Sequence, residues 1–326
     1  MVLKYRIISK WLNKMKLKKA LAVAVGMSIL LLSGCLPAPT NSNKSNVIAT
    51  SFYPVYIFTL NLTNGIEDLS VECMAENNVG CLHDYTLTAK DAKLLNDADV
   101  LVINGAGMEG FVHDLGETTE NICIVDSSQG IELLCDADDH SADATEHGEE
   151  HSHNHEHGEN SHIWMSVDNA EKQVVNIAEG LVKVYPEHEK AIFANCDLYI
   201  ARLRDLKDDM EGVSLQVQDK PVISFHNAYD YMAQEMGFHI VTTIESDHGG
   251  EPSAKKLAGL SVTIKEQGVK ALFTEPHYEG SAATILSAET GIGVYTLNPV
   301  LNGEDTKTAY EDIMRENFDV ILKAVK

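Results

Sequence analysis

Apolar positions along the chain fall into short unbroken runs and runs spaced by three and four, and the two kinds alternate. Val47 to Phe52 is short and β-rich, and a helical spacing through Ile57, Leu60 and Leu62 carries on to Asn64-Gly65. Leu69 to Met74 reads as a second strand. Thr88 with Asp91 three residues on is a capping-box pattern, which starts a helix through Ala92, Leu94, Leu95 and Ala98. Val100 to Ile103 is an apolar run of the kind a parallel strand buried on both faces shows, and Ile122 to Val125 repeats it. Beyond a polar interval, Ala170, Val174, Ile177 and Leu181 mark a helix that stops before Pro186. Ile192, Cys196, Tyr199, Leu203, Leu206 and Met210 then alternate by four and three without a break. With Pro186 in its first turn and Gly212 at its far end, this segment predicts one stiff helix of roughly 25 residues, about 37 Å long.

The alternation restarts after that helix. Strands are expected at Pro221 to Phe225, Ile240 to Ile244, Val269 to Thr274 and Gly293 to Leu297. Helices are expected through Tyr229, Met232, Ala233 and Met236, over Ala254 to Gln267 with Gly268 closing it, and over Tyr310 to Val325. The fold class is therefore α/β. Two lobes, 47–185 and 213–326, each carry a small parallel sheet flanked by helices, and one long rigid helix over 186–212 joins them.

The polar interval changes the picture from fold to chemistry. Seven of the fourteen histidines, His140, His147, His151, His153, His155, His157 and His162, lie among Asp, Glu, Ser, Asn and Gly with almost nothing apolar to bury. Neutral imidazole is a common ligand for zinc, nickel and copper, so 140–161 reads as a metal-collecting loop that binds weakly in shifting sets. At His162 the composition turns to Ile163, Trp164 and Met165, which places that histidine where the tract meets the fold.

The N-terminus sets the compartment. Residues 4–19 carry seven Lys or Arg and no acid, Ala20 to Leu32 is apolar, and Leu32-Ser33-Gly34-Cys35 closes the run. The pattern resembles a lipoprotein signal peptide over 1–34, with Cys35 as the lipid-carrying residue and 35–46 as the tether. The chain is thus expected at the outer face of the plasma membrane or in the periplasm. With the signal removed, 18 of the 25 Lys and Arg remain against 49 acids, a formal charge of −31. Such a field favours cations and argues against nucleic acid and anionic membrane surfaces as partners.

Five cysteines follow Cys35. A Cys73 to Cys81 disulfide across the Asn-Asn turn is the first pairing expected and Cys123 to Cys135 the second, with Cys196 buried on a helical stripe. Five cannot all pair.

His83, His226 and Glu275 each follow a predicted strand, where open parallel sheets bind ligands. Two lobes facing across the helix bring His83 and His162 to meet His226, and three imidazoles suit zinc. An enzyme is the competing reading. His147-Gly-Glu-Glu-His151 fits H-x-x-E-H, a zinc-hydrolase signature, but that motif works on a helix and this copy sits in a polar tract. A lipid-anchored metal store or adhesin would use the same residues.

Nearly the whole mature chain resembles the zinc- and manganese-binding solute receptors of bacterial ABC importers. The resemblance rests on His83-Asp84-Tyr85 with Thr88 and Asp91, Ala98-Asp99, Asn104-Gly105 with Glu109, and His162-x-Trp164 followed by Asp168-Asn169-Ala170. It continues in Ser224-Phe225-His226-Asn227-Ala228-Tyr229, Glu251-Pro252-Ser253 and Phe273-x-Glu275-Pro276. It implies a non-catalytic monomer that passes zinc to a permease with a cytoplasmic ATPase, with His83, His162 and His226 as ligands. A manganese or nickel receptor is the alternative within the family. Relatives often place an acid after the last strand, where this chain has Asn298, a poor zinc ligand. That leaves water, the tract or Glu275 for the fourth position, Glu275 being better suited to accept a histidine N–H. No role is assigned to His277.

Overall fold

The computed structural model describes residues 45–75, 85–112, 122–135, 159–244, 252–276, 278 and 280–326. The signal and Cys35, Cys81 and its pairing with Cys73, His83, His277 and the tract histidines His140, His147, His151, His153, His155 and His157 lie outside the described residues.

Two four-stranded parallel sheets dominate. The first has the order β2-β1-β3-β4, built from β1 (Val47–Thr50), β2 (Ser70–Cys73), β3 (Val100–Ile103) and β4 (Cys123–Asp126). Its all-apolar β3 is buried on both faces, as central parallel strands are. Helices α1 (Tyr53–Leu62) and α2 (Ala89–Asp97) follow β1 and β2. The capping box opens α2 as its sequence demands: Thr88 Oγ1 accepts from Asp91 N at 3.3 Å, and Asp91 Oδ2 accepts from Thr88 N at 2.7 Å.

A short antiparallel hairpin, β5 (Leu134–Cys135) with β6 (Glu159–Asn160), precedes α3 (Val167–Val184). Of the stretch 140–161, residues 159–161 are described. Glu159 and Asn160 pair into the hairpin and Ser161 is buried, so these residues belong to the fold.

Pro186–His188 forms one 3-10 turn and α4 (Glu189–Val217) runs 29 residues, about 44 Å at about 1.5 Å per residue. Gly212, expected at the end, lies inside α4. Asp219, at φ 57°, turns the chain instead.

The second sheet has the order β10-β9-β7-β8, from β7 (Pro221–Ser224), β8 (His239–Thr243), β9 (Ala271–Thr274) and β10 (Gly293–Thr296). Around it stand α5 (Asp230–Met236), α6 (Ala254–Gln267), α7 (Ala282–Thr290) and α8 (Ala309–Ala324). The buried face of α4, from Ile192 to Val217, joins one apolar cluster that reaches Ile48 and Val102 on one side and Val222 and Phe273 on the other.

Cys123 and Cys135 carry free thiols, against the pairing expected. Cys123 opens β4 in the first sheet, while Cys135 belongs to the separate β5–β6 hairpin. Cys196 is buried on α4, and desolvation pushes its thiol up to about 11. No described helix is long and apolar enough to cross a membrane.

Candidate metal centre

Strand order locates the centre. In the second sheet the chain leaves β7 toward β8 on one side and β9 on the other, so a crevice opens past the carboxyl ends of β7 and β9. His226 stands two residues beyond β7 and Glu275 immediately beyond β9. The His226 ring Nδ1 lies 2.6 Å from Glu275 Oε1. That contact places a carboxylate oxygen where it accepts from a ring N–H at Nδ1.

His162 comes from the other half of the chain, two residues beyond β6, and is buried. Its Nδ1 is 2.9 Å from Asn160 Oδ1. The rings of His162 and His226 meet edge to face, with centroids 4.7 Å apart, and the His162 ring is 5.2 Å from that of Trp164. The structure thus brings two of the three expected histidines together with Glu275. Among the described residues no three His, Cys, Asp or Glu side chains converge on one metal position, His83 being outside them. The chain just past His83 is fixed by Tyr85, whose hydroxyl donates to Asp91 Oδ2 at 2.8 Å. Asn298 spends its side-chain oxygen locally, accepting from Val300 N at 2.8 Å.

Behind His162 lies a buried polar network that sequence alone does not resolve. In the first sheet the equivalent crevice opens between β1 and β3, and the Glu109 carboxylate fills it. It accepts from Ser51 Oγ at 2.7 Å, Asn104 N at 2.7 Å and Gly105 N at 3.0 Å. Gly105, at φ +79°, has no room for a side chain, since a Cβ there would sit 1.9 Å from Asp126 Oδ1. Asn104 Nδ2 donates to Ser161 O at 2.9 Å, and Asn104 Oδ1 accepts from Gln173 Nε2 at 3.0 Å. Each sheet therefore has a glutamate past its strand ends, one bonded to the backbone and the other facing a histidine.

Burial pushes the Glu109 carboxyl up to about 7, against the pull of those three donors. A raised acid pKa means that the folded chain holds a proton that the unfolded chain has lost, so stability falls as pH rises from about 4.5 through about 7. The whole difference is up to about 3 kcal/mol. Stability of the parent relative to Glu109→Gln, measured by urea unfolding, should fall by that order between pH 4.5 and 7.5. A difference that is flat with pH would place the proton elsewhere.

The family model described as zinc-uptake complex component A, periplasmic (ZnuA), matches residues 48–324. The zinc-binding protein AdcA of Streptococcus pyogenes is 30% identical over 285 residues, 84% of this chain and 55% of that protein. The chain thus spans about half the length of that relative. The high-affinity zinc uptake system protein ZnuA of Bacillus subtilis is 30% identical over 311 residues, 91% of this chain and 94% of that protein. Among solved structures, the Zn(II)-bound ZnuA-like domain of Streptococcus pneumoniae AdcA is similar at a TM-score of 0.69 and 25% identity, over 86% of this chain and 98% of that one. FpvC of Pseudomonas aeruginosa in complex with Mn2+ is similar at 0.72 and 25% identity, over 86% and 97%.

Proposed function

The chain belongs to the family of zinc-uptake complex component A, and we propose that it captures zinc outside the membrane and delivers it to an ABC permease driven by a cytoplasmic ATPase. The carrying observation is the meeting of His162 and His226 from opposite halves of the chain, each with its Nδ1 facing a side-chain oxygen. His83, His162 and His226 are the ligands in this reading, and Glu275 orients His226 and raises its basicity. An all-imidazole set favours zinc over manganese, which prefers carboxylate and water. Manganese or nickel is the second reading, favoured by the manganese-bound FpvC among the similar structures. In this reading Cys35 carries the lipid that anchors the receptor, at the outer face of the plasma membrane or in the periplasm. It acts as a monomer and catalyses nothing.

The histidines of 140–157 form the collector. Ordering such a polar stretch costs about 1 to 2 kcal/mol per residue, so they bind weakly and in partial sets. Because β5 and β6 pair, 140–157 can be removed without unseating His162. Calorimetry should find one tight zinc and several weak ones in the parent, and the tight one alone in the deletion. A parent with no tight zinc would sink the receptor reading, and loss of the tight zinc on deletion would make the tract a ligand donor.

A further inference from the structure

We propose that Asn160 is a positioning residue that sets the tautomer of His162 and registers it against the lobe carrying His226. The proposal rests on the reading of those two histidines as ligands. Asn160 is buried, and all four of its side-chain contacts point at the centre's two halves. Its Oδ1 accepts from the backbone N of His162 at 3.0 Å and faces His162 Nδ1 at 2.9 Å. Its Nδ2 donates to Asn227 O at 2.9 Å and to Asp230 Oδ2 at 3.1 Å, just past His226 in the chain.

These partners leave the amide no choice of orientation. A backbone N–H only donates and a carbonyl only accepts, so the oxygen of Asn160 must face His162 and its nitrogen must face Asn227. An amide oxygen cannot donate. His162 Nδ1 must therefore carry the hydrogen, and its Nε2 is left with the lone pair that a metal needs. The same amide ties the chain before His162 to the chain after His226, and a second bond runs in parallel where Tyr231 Oη donates to Asn160 O at 2.6 Å.

The two arms of the amide make separable demands. Leucine at 160 has neither arm. Aspartate keeps the acceptor toward His162 but sets a carboxylate oxygen against Asn227 O and the Asp230 carboxylate, which turns attraction into repulsion across the lobes. Asparagine alone meets both, so the residue acts through polarity as well as shape.

The test uses the full chain with nitrogen-labelled histidine. In the metal-free parent, ring nitrogen shifts should report the Nδ1–H tautomer for His162 and for His226. Asn160→Leu should release His162 to a mixture while His226, held by Glu275, stays unchanged. Zinc affinity by chelator competition should fall about 10- to 100-fold in Asn160→Leu and about 10-fold in Asn160→Asp. A parent with the Nε2–H tautomer at His162 would overturn the proposal even if neither variant folded. A Leu variant within twofold of the parent would overturn it as well, and an Asp variant that binds as tightly as the parent would remove the cross-lobe arm. His162→Ala measured alongside separates this failure from that of the ligand assignment, because only the latter leaves the alanine variant with full affinity.

Discussion

Alanine at His162 or at His226 is expected to weaken the tight zinc by about two to three orders of magnitude. Apparent zinc binding by four protein ligands is worth about 10 to 16 kcal/mol, so one ligand carries about 3 to 4 kcal/mol, and about 4.1 kcal/mol is a thousandfold. Neither loss should unfold the chain. His226 lies at a strand end, and His162 leaves Asn160 still bonded to its backbone N–H and to Asn227. His83→Ala should behave alike if it completes the set. Glu275→Gln keeps an acceptor near His226 Nδ1 without the charge, so its loss should be smaller, about tenfold. Chelator competition with each metal-free variant reads these differences directly. If the His162 and His226 variants both held one zinc as firmly as the parent, the two rings would be neighbours with no metal between them.

Signals local in sequence were legible, and signals that act across the fold were not. The apolar run Val100–Ile103, closed by Asn104-Gly105, reads as a buried strand, and Thr88 with Asp91 carried its own cap, so β3 and the start of α2 followed from neighbours alone. The end of α4 did not follow, because Gly212 has open space around it and nothing forces a turn there. The helix α7 was missed because Ala282, Ala283 and Leu286 are a thin apolar face with no acid to complete a capping box. His162 and His226 could be singled out by residue type at strand and tract boundaries. Asn160 could not, since it lies 67 residues from Asn227 and 70 from Asp230 and reads as one more polar residue of the tract. Glu109 was visible only through the family resemblance. Its burial depends on β1 and β3 lying side by side, which no local pattern states.

Trp164→Ala should cost more stability than any substitution at the centre itself. Trp164 follows His162 by two residues and is fully buried, with its ring 4.9 Å from that of Phe52 and nearly perpendicular to it. Its Nε1 donates to Pro299 O at 2.8 Å, and its own carbonyl accepts from Tyr310 Oη at 2.8 Å. It therefore packs on the chain just past β1 and holds the loop after β10 in place. That loop is strained, because buried Val300 sits at φ 61°, a left-handed conformation that a β-branched residue keeps only when its surroundings enforce it. Removing the ring costs about 3 to 5 kcal/mol for the cavity, and the orphaned Pro299 carbonyl adds about 1 to 3 kcal/mol. Against a total stability of about 5 to 15 kcal/mol, the metal-free variant should be partly unfolded at 37 °C, whereas zinc, binding only the folded chain, should restore part of the loss. Trp164→Phe keeps most of the packing and loses the N–H, so its deficit should be about 1 to 2 kcal/mol. Urea unfolding of the three proteins with and without zinc tests this ordering. An alanine variant within about 1 kcal/mol of the parent would mean that Phe52 and Tyr310 close the gap, and that Val300 is held in its conformation by contacts other than Trp164.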